Sequence, residues 1–185
     1  SELLSLFTSH PGVSALRHLL SRKTPRRLQL CGLQGSAAPM IFAALAQQKK
    51  KQASPWFFIL NDEEEAGYFY HDLRQLCGDE NVLFFPSSYR RAAKYARRDA
   101  ANDILRTEVL NRLTTQETNE RPLMIVTFPA AITEKVAAKK TLTEQSFTIK
   151  EGDTFDLTKL SEKLLELGFR RCDYVYEPGE FAVRG

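Results

Sequence analysis

Pro55-Trp56-Phe57-Phe58-Ile59-Leu60-Asn61-Asp62 is the stretch on which the fold turns. Five consecutive apolar residues between a proline and two polar residues describe a strand buried on both faces, the form strands take in a parallel sheet. A half-exposed strand would alternate instead. Asp62 offers a carboxylate to the free amides of a following helix, and Glu63, Glu64 and Glu65 put negative charge in its first turn, where the helix dipole favours it. Capping explains these acids without any metal. The helix carries Tyr68, Phe69, Leu73 and Leu76 and stops at Gly78.

The same alternation extends in both directions. Upstream, Arg26 to Cys31 is a strand candidate that runs into Gly32, and Ser36 to Gln48 follows as a small-residue helix closed by Lys49, Lys50 and Lys51. Before it, Leu3, Leu4, Leu6 and Phe7, then Leu16, Leu19 and Leu20, recur at helical intervals around a His10-Pro11-Gly12 break. Downstream come a strand from Val82 to Phe85, a helix through Ile104, Leu105, Val109, Leu110 and Leu113, and a strand from Leu123 to Thr127. Strands and helices in this order form an α/β domain, a parallel sheet covered by helices.

Near residue 140 the pattern changes. Ser146 to Lys150 alternates, Glu151-Gly152-Asp153 forms a turn, and a helix from Asp156 or Thr158 carries Leu160, Leu164, Leu165 and Leu167 to Gly168. Tyr174-Val175-Tyr176, Glu177-Pro178-Gly179-Glu180 and Phe181 to Arg184 together give a hairpin signal. The expected organisation is an α/β domain over residues 1–140 and the start of a small α+β domain over 141–185, apparently truncated because the sequence ends within an extended pattern.

Composition bounds the function. The 185 residues are 43% hydrophobic and 26% charged, a globular balance with no apolar run long enough for a membrane-spanning helix. Three cysteines, Cys31, Cys77 and Cys172, have no metal-ligand spacing, and His10, His18 and His71 form no catalytic or zinc motif, so no metal site is expected. A soluble cytoplasmic protein is the expectation. The net charge of +3 is unevenly spread: residues 61–80 hold seven acids and one base, and residues 86–112 hold seven bases and three acids. Arg90, Arg91, Lys94, Arg97 and Arg98, interleaved with Tyr89 and Tyr95, form either a nucleic-acid-binding patch or a solvated face.

Gly32-Leu33-Gln34-Gly35-Ser36-Ala37-Ala38-Pro39 occupies the place of a phosphate-binding loop, between the first expected strand and its helix. The pattern G-x-x-x-x-G-K-[ST] cradles phosphates on backbone amides, with lysine on the outer phosphates and a hydroxyl on magnesium. Gly32 fits the first position, whereas Ala37, Ala38 and Pro39 replace the second glycine, the lysine and the hydroxyl residue. Proline also lacks an amide hydrogen at the end that must meet the anion. The strand Leu123 to Thr127 ends in Phe128-Pro129 and offers no carboxylate for magnesium. Nucleotide hydrolysis is not expected, and no other active site is indicated.

Arg171-Cys172-Asp173-Tyr174-Val175-Tyr176-Glu177-Pro178-Gly179-Glu180-Phe181-Ala182-Val183-Arg184-Gly185 resembles a stretch shared by the excision-repair helicase UvrB and the transcription-repair coupling factor (Mfd) family. The resemblance extends weakly over Phe147 to Leu167, Ile125 to Val136, Asn102-Asp103-Ile104-Leu105-Arg106 and Gly32 to Ser36. UvrB keeps an intact phosphate loop and inserts a tyrosine-rich DNA-clamping hairpin near the point matching Phe85 to Tyr95. The decayed loop and the short Pro86-Ser87-Ser88-Tyr89-Arg90-Arg91 segment here favour the coupling factors. The resemblance implies a RecA-like domain with a degenerate P-loop, then a domain that binds the damage-sensing ATPase UvrA. It implies no enzyme activity or cofactor in this segment: ATP, magnesium, DNA and RNA polymerase would engage other domains of the full-length family protein. It places UvrA-contacting arginines at Arg171 and Arg184, with Arg170 and Glu180 as neighbours. A further family arginine falls at Ala182, which leaves the set incomplete.

Overall fold

A computed structural model describes residues 2–21, 27–47, 54–89, 98–115, 120–138, 141, 147 and 149–184. The chain divides into two compact units, residues 1–135 and 136–185.

In the first unit, helices α1 (Glu2–Ser9) and α2 (Pro11–Leu20) flank the His10 break. Pro11 suits the first turn of α2 because it has no amide to leave unpaired, and His10 Nδ1 accepts the Gly12 amide at 3.1 Å. Helix α3 (Ala37–Ala46) precedes strand β1 (Trp56–Ile59) and helix α4 (Glu63–Cys77). Strand β2 (Val82–Phe85), helix α5 (Ala100–Thr114), strand β3 (Met124–Thr127) and the single-turn helix α6 (Pro129–Ile132) follow. The strands form a parallel sheet in the order β1-β3-β2, with Trp56 and Val82 both opposite Met124 and Ile59 and Phe85 both opposite Thr127. A central strand in a parallel sheet meets helices on both faces, and all four residues of β3 are buried accordingly.

Alternate side chains build two cores. Val82, Met124 and Val126 face one way and pack with Phe128 and with Ala43, Ala44, Leu73 and other residues of α1 to α4. Leu83 and Ile125 face the other way and meet Val109 of α5. Aromatic contacts extend the first core, Phe42 and Phe58 meeting edge-on with centroids 4.9 Å apart and Phe58 and Phe69 tilted at 5.1 Å.

Helix α4 has the boundaries that the sequence implies. Asp62 accepts the Glu65 amide at 2.9 Å, while Glu65 reaches back to the Asn61 amide at 3.1 Å, so two donors are satisfied reciprocally. At the other end Gly78 adopts φ 84°, a conformation that side chains with a Cβ resist.

Of the strand expected over Arg26 to Cys31, the described residues 27–31 form none. Arg26 lies outside the described residues, and residues 27–31 pair with no strand among them. Leu28 and Leu30 remain 41% and 42% exposed. Short apolar alternation becomes a strand only where a neighbour takes up its backbone groups, and none does among the described residues. The three lysines after α3 lie outside the described residues.

The second unit has helix α7 (Leu157–Glu166) and a two-residue pair of strands, β4 (Arg170–Arg171) and β5 (Glu180–Phe181). The Asp156 carboxylate caps α7 on the Thr158 and Lys159 amides, and Gly168 ends it at φ 87°. Residues 151–152 form the expected turn, closed by the Asp153 amide on the Lys150 carbonyl at 3.1 Å. Ser146 and Thr148 lie outside the described residues, and Phe147, Ile149 and Lys150 are not in a strand.

The expected hairpin is corrected by the pairing. Strands β4 and β5 run parallel, and Tyr174 to Tyr176 belong to the loop between them. A hairpin would bring Tyr174 to Tyr176 alongside Phe181 to Arg184 in antiparallel register. Instead the Arg170 amide bonds the Gly179 carbonyl at 2.8 Å and the Cys172 amide bonds the Phe181 carbonyl at 2.9 Å, so the chain must loop round before it returns.

Candidate functional site: an arginine and tyrosine loop on the second unit

The loop between β4 and β5 is organised by one carboxylate. Glu180 Oε2 accepts the amides of Tyr176 at 2.9 Å and Glu177 at 3.1 Å, and Oε1 pairs with the Arg170 guanidinium. The Glu180 side chain is only 8% exposed, whereas that of Arg170 is 73% exposed. Gly179 at φ 90° completes the turn, with the Glu180 amide on the Glu177 carbonyl at 3.2 Å. Amide donation by Tyr176, the Arg170 contact and amide donation by Glu177 together lower the Glu180 carboxyl from 4.5 to about 2. A lowered carboxylate contributes stability that is complete above its unfolded value and is lost as pH falls through its folded value. The loop is therefore expected to keep its shape from neutral pH down to the carboxylate range and to lose it between about 4.5 and about 2. A carbon-13 titration of the Glu180 carboxyl should show a midpoint near the lower value, and a midpoint above 4 would contradict this geometry.

Around that carboxylate the loop turns its side chains outward. Tyr174, Val175 and Tyr176 are all exposed, and the two tyrosine rings lie 6.4 Å apart. The Arg184 guanidinium sits 4.6 Å over the Tyr174 ring and reaches the Asp173 carbonyl at 3.4 Å. Stacking fixes the plane of the guanidinium and leaves most of its donors at the rim. Arg171 is exposed on β4. Arg171 and Arg184 thus both reach solvent, whereas Arg170 and Glu180 bind each other. The sequence signals Arg171 and Arg184 only through resemblance. The Arg184–Tyr174 stack depends on the loop path and has no linear signature.

The Gly32 to Pro39 segment has a different character. Gly32 at φ 78° and Gly35 at φ 52° turn the backbone, and residues 32–36 are exposed. The Ala37 amide is engaged by the Gln34 carbonyl at 3.1 Å, and Ser36 caps α3 without a side-chain hydrogen bond. With Pro39 lacking an amide hydrogen and lying buried, Ala38 has the one uncommitted amide among residues 37–39.

Of the basic segment, Arg90, Arg91, Lys94 and Arg97 lie outside the described residues. Arg98 bridges Tyr89 in an antiparallel pair and its Nε lies 3.3 Å from Asp103. Beneath that bridge is a polar cluster that sequence reasoning did not anticipate. Arg106, 5% exposed, donates from Nη1 to the Pro86 carbonyl at 2.7 Å and the Ala131 carbonyl at 3.0 Å. The same nitrogen lies 3.6 Å from Glu134, and the guanidinium stacks 4.1 Å over Phe85. Glu134 also accepts from the Ser87 hydroxyl and the Ser88 amide, and Asn102 donates to the Ser87 carbonyl at 2.8 Å. Burial opposes the charge on Glu134, but the bonds from Ser87 and Ser88 and the nearby Arg106 outweigh it and hold the carboxyl below its ordinary value. Burial likewise lowers Arg106, against the opposing pull of Glu134.

No group of three or more His, Cys, Asp or Glu among the described residues is arranged to hold a metal, and no described helix is long and apolar enough to cross a membrane. Cys77 is buried, and burial pushes its thiol up to about 11, away from reactivity near neutral pH.

Residues 147–185 match the UvrB interaction domain family, a range that includes α7, β4, β5 and the loop between the strands. The transcription-repair-coupling factor of Bacillus subtilis (strain 168) is 31% identical over 156 residues, which cover 84% of this chain and 13% of that relative. Residues 147–185 thus carry a UvrB interaction domain, and over most of its length the chain is similar to part of a transcription-repair-coupling factor.

Proposed function

We propose that this module recruits UvrA to stalled RNA polymerase in transcription-coupled nucleotide excision repair, through its second unit. The observation that carries the reading is the coincidence of the UvrB interaction match with an exposed surface bearing Arg171, Arg184 and the loop tyrosines. A guanidinium held as Arg184 is over Tyr174 suits paired hydrogen bonds to carboxylates on a protein partner, and arginine and tyrosine are enriched where interface energy concentrates. Residues 1–140 are read as a RecA-like scaffold with a degenerate P-loop and no ATP hydrolysis, and residues 141–185 as the UvrA-binding part. The exposed Gly32 to Ser36 turn, the engaged Ala37 amide and the missing Pro39 amide hydrogen support a loop that has lost its phosphate contacts. ATP, magnesium, DNA and RNA polymerase are assigned to other parts of a longer cytoplasmic protein, since the chain spans 13% of the length of its relative.

The test is binding of the immobilised chain to purified UvrA, beside a folded Arg171→Glu/Arg184→Glu variant. The parent is expected to bind and the variant to lose at least about tenfold in affinity, since reversing two charges leaves partner carboxylates facing like charge. Absence of binding by the folded parent overturns the reading. Binding that the variant retains moves the interface away from these arginines.

A further inference from the structure

The geometry points to residues 172–179 as a recognition loop, shaped from within by Glu180, that presents Tyr176 and the Arg184–Tyr174 stack to a partner surface combining an apolar recess with a carboxylate. This deepens the UvrA-recruiting reading and rests on it.

Three observations carry the inference. First, Tyr176 is 84% exposed although its own backbone amide is tied to Glu180, so the loop projects an aromatic side chain on an ordered support. An exposed tyrosine on a constrained loop binds with little ordering cost, because the conformation is set before the partner arrives. Secondly, the charges are already sorted. Glu180 is occupied by Arg170 and two amides, so it serves as an internal brace and Arg170 as its counter-ion. That leaves Arg184, braced on Tyr174, and Arg171, exposed on β4, to supply the positive edge of the surface. Thirdly, Tyr174, Val175 and Tyr176 form a run of three exposed apolar or aromatic residues beside that edge. An aromatic patch flanked by a planar cation is complementary to an apolar pocket rimmed by a carboxylate. Glu180 is accordingly a positioning residue acting through the Tyr176 loop, and Tyr176 is a contact residue.

The experiment is a double-mutant cycle of Tyr176→Ala and Glu180→Ala in binding to purified UvrA, with amide exchange at Glu177 and thermal melting recorded for every variant. Each single variant is expected to weaken binding about tenfold, and the double variant scarcely more than either, because one residue acts through the other. Glu177 amide exchange should accelerate in Glu180→Ala and stay unchanged in Tyr176→Ala. Glu180→Gln keeps an acceptor for the two amides and should bind within about threefold of the parent. If the alanine variant at 180 melts, Tyr176→Ala carries the test of the contact surface, because it removes only an exposed side chain. If the parent binds and both single variants bind equally well, the loop is not the contact surface and the inference falls. If the two losses multiply to about a hundredfold, Glu180 does not act through Tyr176 and its positioning role falls. A parent that does not bind UvrA at all overturns the recruitment reading first, and the recognition role with it.

Discussion

Arg106→Met is expected to lower the thermal midpoint of the first unit by about 10 °C, the result of losing about 3 kcal/mol when one member of a buried ion pair is removed. The cost comes from what is left behind. The carbonyls of Pro86 and Ala131 lose their shared donor, and Glu134, whose side chain is 16% exposed, keeps a charge with its strongest counter-ion gone. Methionine retains much of the contact with Phe85, so lost packing is a minor part. The double variant Arg106→Met/Glu134→Leu should recover part of the loss, because removing both partners leaves no uncompensated charge. Circular dichroism melts of the three proteins decide the matter. A shift under about 2 °C for the single variant would mean that water or a relaxed backbone replaces the guanidinium at no cost.

The location of this cluster gives it a further consequence. Pro86, Ser87 and Ser88 lead out of β2, Arg98 and Asp99 lead into α5, and the Asp99 amide bonds the Ser88 carbonyl at 2.8 Å. Arg106, Glu134 and Asn102 therefore fasten the point at which the chain leaves β2 and the point at which it enters α5. Weakening the cluster should loosen Tyr89 and Arg98 before it affects the sheet.

Elements whose ends are set by local chemistry were legible in the sequence. Asp62 and Gly78 bound α4, and Asp156 and Gly168 bound α7, because a carboxylate at a helix start and a glycine beyond its end act on nearest neighbours alone. Continuous apolar runs likewise marked the positions of β1, β2 and β3, but β1 is not buried on both faces: it is an edge strand on which Phe57 and Ile59 are 56% and 60% exposed. Arg26 to Cys31 failed for the opposite reason: a strand requires a partner, and RRLQLC says nothing of whether one is available. The Glu177-Pro178-Gly179 turn was visible, but a turn fixes only a change of direction. The parallel return of β5 onto β4 is set by Glu180 gathering amides and Arg170 from across the loop.

The candidate site was legible in the same proportion. Arg171 and Arg184 were reached through resemblance, whereas the Arg184–Tyr174 stack spans ten residues and exists only once the loop has closed. The Arg106 cluster did leave a trace. Asn102, Arg106 and Val109 fall at helical intervals on one face of α5, and polar residues in line with the buried Val109 signal a buried polar contact. The signal does not identify Glu134 as the counterpart, since that residue lies beyond β3.

Phe128→Ala is the second large effect, an expected loss of about 3–5 kcal/mol from the cavity left by a buried aromatic ring. Phe128 is 1% exposed, packs against Phe84 with ring centroids 6.4 Å apart, and belongs to the same core as Leu73, Val126 and Ala131. It is also the first residue past β3 and the residue that precedes α6, so its position is fixed from both sides and the gap cannot close by a simple shift. A domain of this size has about 5–15 kcal/mol in all, so the variant should be marginal at 37 °C. Urea unfolding should show a lower midpoint with an unchanged slope, and Phe128→Leu should lose much less, because it keeps most of the volume. The position bears on function as well. In a phosphate-loop enzyme a carboxylate at a strand end organises magnesium, and here the residue after the central strand is committed to the core. Phe128→Asp would place an unpaired charge among Leu73, Phe84 and Val126 and should fail to fold even with magnesium in excess. A folded Phe128→Asp protein that bound magnesium would show instead that this strand end remains open to solvent and metal.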